Sequence, residues 1–173
     1  MSNKKKYIIT AVTLGAIAAC SGALIGVTNL VTRDRIAQNE KNKFNAGIVA
    51  IFGENSSVSD INDEFKEYKY ITNAYVVNQN ENNIGWSIKT SGSNAYGKIS
   101  MIVGFNLEKT RVGTYMVVNE QSYASTLEDK YVVPLNEGTR DLDDVKCGAT
   151  YGATLVKNMI DEAQNYVNGI VKE

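Results

Sequence analysis

In the stretch KISMIVGF, residues 98–105, every second residue is large and apolar. Successive side chains of a β-strand point to opposite faces of the sheet, so residues two apart share a face. A strand here presents Ile99, Met101, Val103 and Phe105 to one side. The stretch therefore predicts a β-strand with one face buried in a core.

Three similar stretches lie on either side of this strand and are rich in β-branched and aromatic residues. They are NAYVV (73–77), IGWSIKTSG (84–92) and VGTYMVV (112–118), and connections containing Asn or Gly separate them. Short strands joined in this way indicate an antiparallel meander of about four strands. The polar residues 55–70 favour one short helix, and residues 122–146 are predicted to run mostly as a loop.

The chain closes with the clearest helical pattern of the part that follows the apolar N-terminus. Apolar residues recur at helical spacing in residues 153–173, and they are Leu155, Val156, Met159, Ile160, Ala163, Val167, Ile170 and Val171. A meander followed by an amphipathic helix predicts an α+β fold in which helices pack against one face of the sheet.

Near the N-terminus, residues 7–31 contain no charged side chain. As a helix this run is about 37 Å long, enough to cross a hydrocarbon core of about 30 Å. We therefore divide the chain into a basic N-terminus (1–6), a transmembrane helix (7–31), a stalk helix (32–53) and a domain (54–173). Small residues in the span are suited to packing against other membrane helices. An alternative is a lipoprotein signal in which Cys20 is lipidated.

Composition excludes several classes of function. The formal net charge is −1, and three of the lysines precede the apolar run, so the domain has no basic surface for nucleic acid. The chain has no histidine and only two cysteines, Cys20 and Cys147, which argues against a zinc site and an intrachain disulfide. The signal-like start favours a cytoplasmic N-terminus and an extracytoplasmic domain.

Two Gly-Ala-Thr triplets stand where the last helix is about to begin, in DVKCGATYGAT, residues 144–154. The start of a helix offers unpaired N–H groups and a positive dipole end, which suit a phosphate group. Gly148 and Gly152 let an anion approach the backbone, and Thr150 presents a hydroxyl there. The residues alone leave two interpretations open, which are a phosphate-binding helix start and an ordinary helix cap with a tight turn.

The stretch DVKCGAT (144–150) resembles the flavinylation motif of the FMN-binding domain family, which reads Asp, two variable residues, Ser or Thr, Gly, Ala, Thr. That domain occurs in RnfG, a flavin-carrying component of the Rnf electron-transport complex, and in its counterpart in the sodium-pumping NADH:quinone reductase. NLVTRDRIA (29–37), AGIVAIFG (46–53) and NAYGKISMIVGFN (94–106) are also similar to the Rnf component. The resemblance implies FMN bound covalently to Thr150 through a phosphoester, installed by a flavin transferase that uses FAD.

The resemblance also implies a set of cofactor-binding residues, and the chain departs from the family at two places in that set. Cys147 stands where the family has Ser or Thr, and Gln121 and Ser122 stand where the family has a Glu-Thr-Pro-Gly loop. The expected cofactor-binding residues are Thr150, Cys147, Gly148, Ala149, Asp144, Thr154, Gln121 and Ser122. Tyr96, Trp86 and Tyr123 are candidates for stacking on the flavin ring.

Three functions remain as hypotheses. The first is an electron-carrier subunit of an Rnf-type complex that moves Na⁺ or H⁺, with other integral subunits, the flavin transferase and membrane lipid as partners. Such a subunit transfers electrons within the complex and is no enzyme alone. The second is a free-standing extracytoplasmic flavoprotein held by the span or by a lipidated Cys20. The third is a flavin-free, membrane-tethered binding or structural protein.

Overall fold

A five-stranded antiparallel sheet forms the centre of the fold, and its strands follow the chain order β1-β2-β3-β4-β5. The computed structural model describes residues 3–61 and 64–170, so Val171 of the predicted stripe and residues 1–2 of the basic N-terminus lie outside the described residues. The strands are β1 (Ser56–Ile61), β2 (Ile71–Gln79), β3 (Asn82–Asn94), β4 (Gly97–Asn106) and β5 (Arg111–Asn119). The expected meander is confirmed, with one strand more than the pattern indicated.

Helices precede and follow the sheet. They are α1 (Asn3–Phe52), α2 (Ala124–Leu127), a π-helical turn (Glu128–Val132), α3 (Val133–Asn136) and α4 (Thr150–Gly169). The chain divides into two compact units, Met1–Lys41 and Asn42–Glu173, and the division falls inside α1. The elements agree with the predicted α+β class.

The larger core lies between the sheet and α4. Ile99, Met101, Val103 and Phe105 are all fully buried there, which confirms the face predicted from their alternation. The apolar stripe of α4 packs on them through Val156, Met159 and Ile160, among others. Burial of each large apolar side chain contributes about 1.5–3 kcal/mol, so this contact is a major source of stability.

A second, smaller core lies on the opposite face of the sheet, under the last turns of α1. Phe44 and Ile48 pack there on Val77, Ile102 and Val117. The expectation that helices cover only one face is therefore wrong. The reason is visible in the strands, because Ile102 and Val117 are apolar side chains on the face that α4 does not cover, and burying them requires a second helix.

Two segments differ from the sequence-based prediction. Residues 56–61 form strand β1 rather than a helix, because all of β1 pairs with β2. The register runs from Ser56 opposite Gln79 to Ile61 opposite Ala74. Residues 124–136 are helical rather than a loop. Leu127, Tyr131 and Leu135 recur at four-residue spacing, and all three are buried in the larger core.

The apolar helix of the N-terminal unit fits a single-pass membrane anchor. Within the described residues, one helix, Lys4–Phe52, is long and apolar enough to cross a membrane, with a mean hydropathy of 2.1 in its apolar window. The hydroxyls of Thr10, Thr13 and Thr28 each donate to the carbonyl four residues earlier, at 2.8–3.0 Å. Such bonds satisfy hydroxyl groups where water is absent.

Truncation of Ile48 tests the packing of α1 on the sheet. We expect Ile48→Ala to lower the free energy of unfolding of the domain by about 2 kcal/mol, because it leaves a cavity against the second sheet face. Ile36 lies on the same helix and is 58% exposed, so Ile36→Ala is the matched control and is expected to change nothing. Fluorescence of Trp86, the only tryptophan, reports unfolding in denaturant. Equal effects of the two variants would contradict the packing.

Candidate functional site

Helix α4 begins at Thr150 without a side-chain cap. Ala149 occupies the cap position, and no side-chain hydrogen bond caps the N–H groups of the first turn among the described residues. The preceding Gly148 has φ +86°, a left-handed conformation that glycine adopts without strain. The loop therefore turns sharply into the helix, and the first turn is left open to a ligand.

Three backbone N–H groups at this helix start have no acceptor among the described residues. They belong to Thr150, Tyr151 and Gly152, and the first bond of the helix is from Ala153 N to Ala149 O at 3.0 Å. Unpaired N–H groups and the positive end of the helix dipole together favour an anion at this place. The side-chain cap of the alternative interpretation is absent from the described residues, whereas its tight turn is present at Gly148.

The two threonine hydroxyls of this region differ in their bonding. Thr154 Oγ1 donates to the carbonyl of Thr150 at 2.8 Å, so its hydroxyl is engaged by its own helix. The hydroxyl of Thr150 is exposed and has no hydrogen bond to any described residue. Thr150 is therefore the hydroxyl available for chemistry at the helix start.

A cavity of about 260 Å³ adjoins Thr150. It is lined by Tyr96, Gln121, Tyr123, Gly148, Ala149, Thr150, Tyr151 and Gly152. Among these described residues none is Asp, Glu, Lys or Arg, so the cavity lining supplies no carboxylate or amine base. Its polar groups are the helix N–H groups, hydroxyls and the Gln121 amide.

The turn between β3 and β4 forms one wall of the cavity, and the segment after β5 holds it in place. Gln121, which is 7% exposed, donates from Nε2 to Asn94 Oδ1 at 3.1 Å and to Gly97 O at 2.6 Å. Ser122 donates from its backbone N to Tyr96 O at 3.0 Å. Gln121 thus lines the cavity and supports the turn, whereas Ser122 supports the turn alone.

Arg140 fixes the loop that leads into α4. Its guanidinium donates to the carbonyls of Lys130, Asp144 and Lys146 at 2.5–2.9 Å and pairs with the Asp144 carboxylate at 2.8 Å. The same group lies 5.8 Å from the centre of the Tyr131 ring. Asp144 is therefore part of the loop structure, at its surface, and does not line the cavity.

Tyr131 supports the loop from below. Its hydroxyl donates to Leu142 O at 2.6 Å, and the ring is fully buried. Burial raises the pKa of Tyr131 to about 12, so the phenol remains a neutral donor across the physiological range.

The structure brings four of the eight expected site residues to the cavity, namely Thr150, Gly148, Ala149 and Gln121. Cys147 and Trp86 are buried in the larger core, and neither lines the cavity. Of the other stacking candidates, Tyr96 and Tyr123 line the cavity.

Sequence reasoning missed Tyr151 and Asn94 as parts of the site, whereas it had named Gly152. A Cβ atom on Gly152 would lie 3.0 Å from Leu127 Cδ2 and 3.2 Å from Gln121 Oε1, so this glycine permits close packing of α4. Its place in the repeated triplet was the signal that identified it in the sequence. Asn94 gave no signal, because its partner Tyr151 is 57 residues away in the chain.

These features define an α+β protein with an N-terminal helix that fits a single-pass membrane anchor and a domain with an open helix start beside a small cavity. Residues 1–51 match the family model described as the RnfG N-terminal region, which confirms the resemblance to RnfG over the anchor and the last turns of α1. The match suggests a component of an Rnf complex with other subunits as partners. No curated protein matches the chain.

Proposed function

We propose that the chain is the electron-carrier subunit of an Rnf-type ion-translocating ferredoxin:NAD oxidoreductase, with FMN bound covalently to Thr150. The observation that carries this proposal is the hydroxyl of Thr150, which is exposed, unbonded and located at an uncapped helix start on the cavity. The match of residues 1–51 to the RnfG N-terminal region supports the same complex.

The residues of the helix start fit a phosphoester. The oxygen of Thr150 forms a bond to the phosphorus of the FMN half of FAD, the phosphoanhydride bond breaks and AMP leaves. The hydroxyl proton passes to a base of the flavin transferase, since the cavity lining supplies no base. The N–H groups of Tyr151 and Gly152, which have no acceptor among the described residues, would hold the anionic ester, because the positive end of the helix dipole stabilises negative charge.

The flavin supplies the redox chemistry, and this chain supplies the attachment and the surroundings. A cavity of about 260 Å³ is at or below the lower limit of the range for drug-sized ligands, roughly 300–1,000 Å³. A flavin nucleotide held there is therefore only partly enclosed. An exposed redox group suits electron transfer to neighbouring subunits, and a covalent bond prevents its loss to the surroundings.

The same proposal sets the location and the partners. The N-terminus is cytoplasmic, the anchor crosses the membrane once, and the domain and its flavin lie outside the cytoplasm. Gly15, Gly22 and Gly26 have no neighbour within 4 Å at the position of a Cβ atom, so this side of the anchor is free to approach integral subunits and lipid. Transfer of electrons through the complex is coupled to movement of Na⁺ or H⁺.

Co-expression with a flavin transferase tests the attachment directly. We expect a band that fluoresces under ultraviolet light on a denaturing gel, because a phosphoester survives unfolding whereas a non-covalent flavin is lost. Omission of the transferase is the control and should give a dark band. A chain of unmodified mass after co-expression, and also after purification from its native membrane, would sink the proposal.

Arg140 is expected to control the efficiency of attachment. An ionic hydrogen bond contributes about 1.5–3 kcal/mol, so losing one of those that fix the loop lowers the ratio of fixed to unfixed loop about tenfold or more. We expect Arg140→Gln to slow flavinylation by about that factor, and Arg140→Lys to slow it less because it keeps the charge beside Asp144. The measurement is the flavinylated fraction against time by intact mass.

Lys66→Gln is the matched control for Arg140→Gln. Lys66 also pairs with a carboxylate, that of Glu64, but its side chain is 82% exposed and lies in another loop. Such exposed pairs contribute little to stability, so the rate should not change. If the two glutamine variants flavinylate at the same rate, Arg140 has no role in preparing the loop.

A further inference from the structure

Tyr96 and Tyr151 form a stacked aromatic pair beside Thr150. Their ring centres are 5.1 Å apart and the rings are inclined by 26°. Both rings remain accessible, Tyr96 being 41% exposed and Tyr151 68% exposed. Two stacked aromatic side chains that line a cavity and still face solvent present an apolar surface to whatever occupies that cavity.

One side chain, that of Asn94, holds both tyrosines. Asn94 Oδ1 accepts a hydrogen bond from the backbone N of Tyr96 at 2.8 Å, and Asn94 Nδ2 donates to Tyr151 O at 3.2 Å. Gln121 Nε2 donates to the same Oδ1 atom at 3.1 Å, which fixes the orientation of the Asn94 amide. The pair therefore joins the β3–β4 turn to the first turn of α4 and is preorganised before any ligand arrives.

We infer that the Tyr96–Tyr151 pair is the stacking surface for the flavin ring that Thr150 carries. This inference rests on the proposed function and adds the surroundings of the ring. Tyr151 is the next residue after the attachment point, and the pair lines the same cavity as Thr150. The electron-rich phenol rings complement an electron-poor flavin, and stacking sets the orientation of a ring that the ester alone leaves free to rotate.

Flavin emission reports this contact. When a phenol lies against an excited flavin, the flavin takes one electron from the phenol and returns it without emitting light, so both groups end unchanged. A stacking contact with one aromatic partner favours the stacked flavin over the unstacked flavin by about fivefold. We therefore expect the native, flavinylated full chain in detergent to emit about fivefold less light than the same sample unfolded in denaturant.

The test is the double variant Tyr96→Phe with Tyr151→Phe. Phenylalanine keeps the stacked rings and the fold but is a far poorer electron donor, so the native emission should rise most of the way to that of the unfolded chain. Tyr68→Phe is the control, because Tyr68 contacts Phe65 and Tyr166 in another ring cluster and should not change the emission. Intact mass of each variant first establishes that the flavin is attached.

The outcomes separate this inference from the proposed function. A chain without a flavin adduct contradicts the proposed function and is seen by mass before any emission is measured. A flavinylated wild type that emits equally when native and unfolded overturns the stacking inference alone. The stacking inference is also overturned if emission rises in Tyr123→Phe but not in the double variant. Tyr123 lines the cavity but does not belong to the stacked pair.

Discussion

Thr150→Ala is expected to remove all covalent flavin from the chain, and Thr154→Ala is expected to retain it. The attachment needs a hydroxyl that is free and exposed beside the open helix start, and Thr150 has one. The hydroxyl of Thr154 donates to Thr150 O at 2.8 Å and is one helical turn further along. The two residues belong to identical triplets, so sequence alone does not distinguish them as well as their bonding does.

The measurement is fluorescence on a denaturing gel after co-expression with a flavin transferase, with the amount of protein established by staining. Thr150→Ser is the third variant, and it should remain fluorescent because it keeps an oxygen at the same place. Fluorescence in Thr150→Ala combined with a dark Thr154→Ala would transfer the attachment to the second triplet. Bright bands in all three variants would place the flavin on another residue.

The strands of the larger core were predictable because burial of one face requires an apolar residue at every second position of the strand. Ile99, Met101, Val103 and Phe105 alternate, and all four are buried. The stripe of α4 was predictable for the same reason, with a helical period in place of the strand period. Each of these elements is recognisable from its own residues, because its apolar side chains all lie on one buried face and therefore recur at the period of that element.

Elements that depend on their neighbours were not predictable in this way. Strand β1 is polar and forms by pairing along β2. The helical residues 124–136 include only a short apolar series with Leu127 and Tyr131 at four-residue spacing, and a π-helical turn and Pro134 interrupt the regular pattern. In such short segments tertiary contacts decide the conformation, and local propensity has little influence.

The candidate site also has one part that was predictable from adjacent residues and one part that was not. The helix start was predictable because its glycines and threonines are adjacent in the chain. The wall formed by the β3–β4 turn was not, because it depends on the bond from Asn94 to Tyr151, which joins residues far apart in sequence. The family resemblance identified Gln121 and Ser122 by position, and the structure gives their contacts, which are with the turn that carries Tyr96.

Gly97→Ala is expected to destabilise the domain most among the single substitutions near the site. Gly97 has φ +135°, and a Cβ atom there would lie 2.1 Å from the carbonyl oxygen of Glu120. That oxygen belongs to the backbone, so no side-chain rotation relieves the overlap. We expect a loss of about 4 kcal/mol in the free energy of unfolding, about half from backbone strain and half from the overlap.

Gly138→Ala separates these two causes and is the matched control. Gly138 also has a positive φ, +71°, but no atom lies within 4 Å of the position of its Cβ, so only the strain remains there. Unfolding followed by Trp86 fluorescence should therefore show a loss of about 1–2 kcal/mol for Gly138→Ala. The flavinylated fraction should fall in Gly97→Ala alone, because moving Glu120 displaces Gln121 from Gly97 O. Equal losses of stability in the two variants would mean that the turn yields to the added methyl group, and the wall of the cavity would then be softer than its hydrogen bonds indicate.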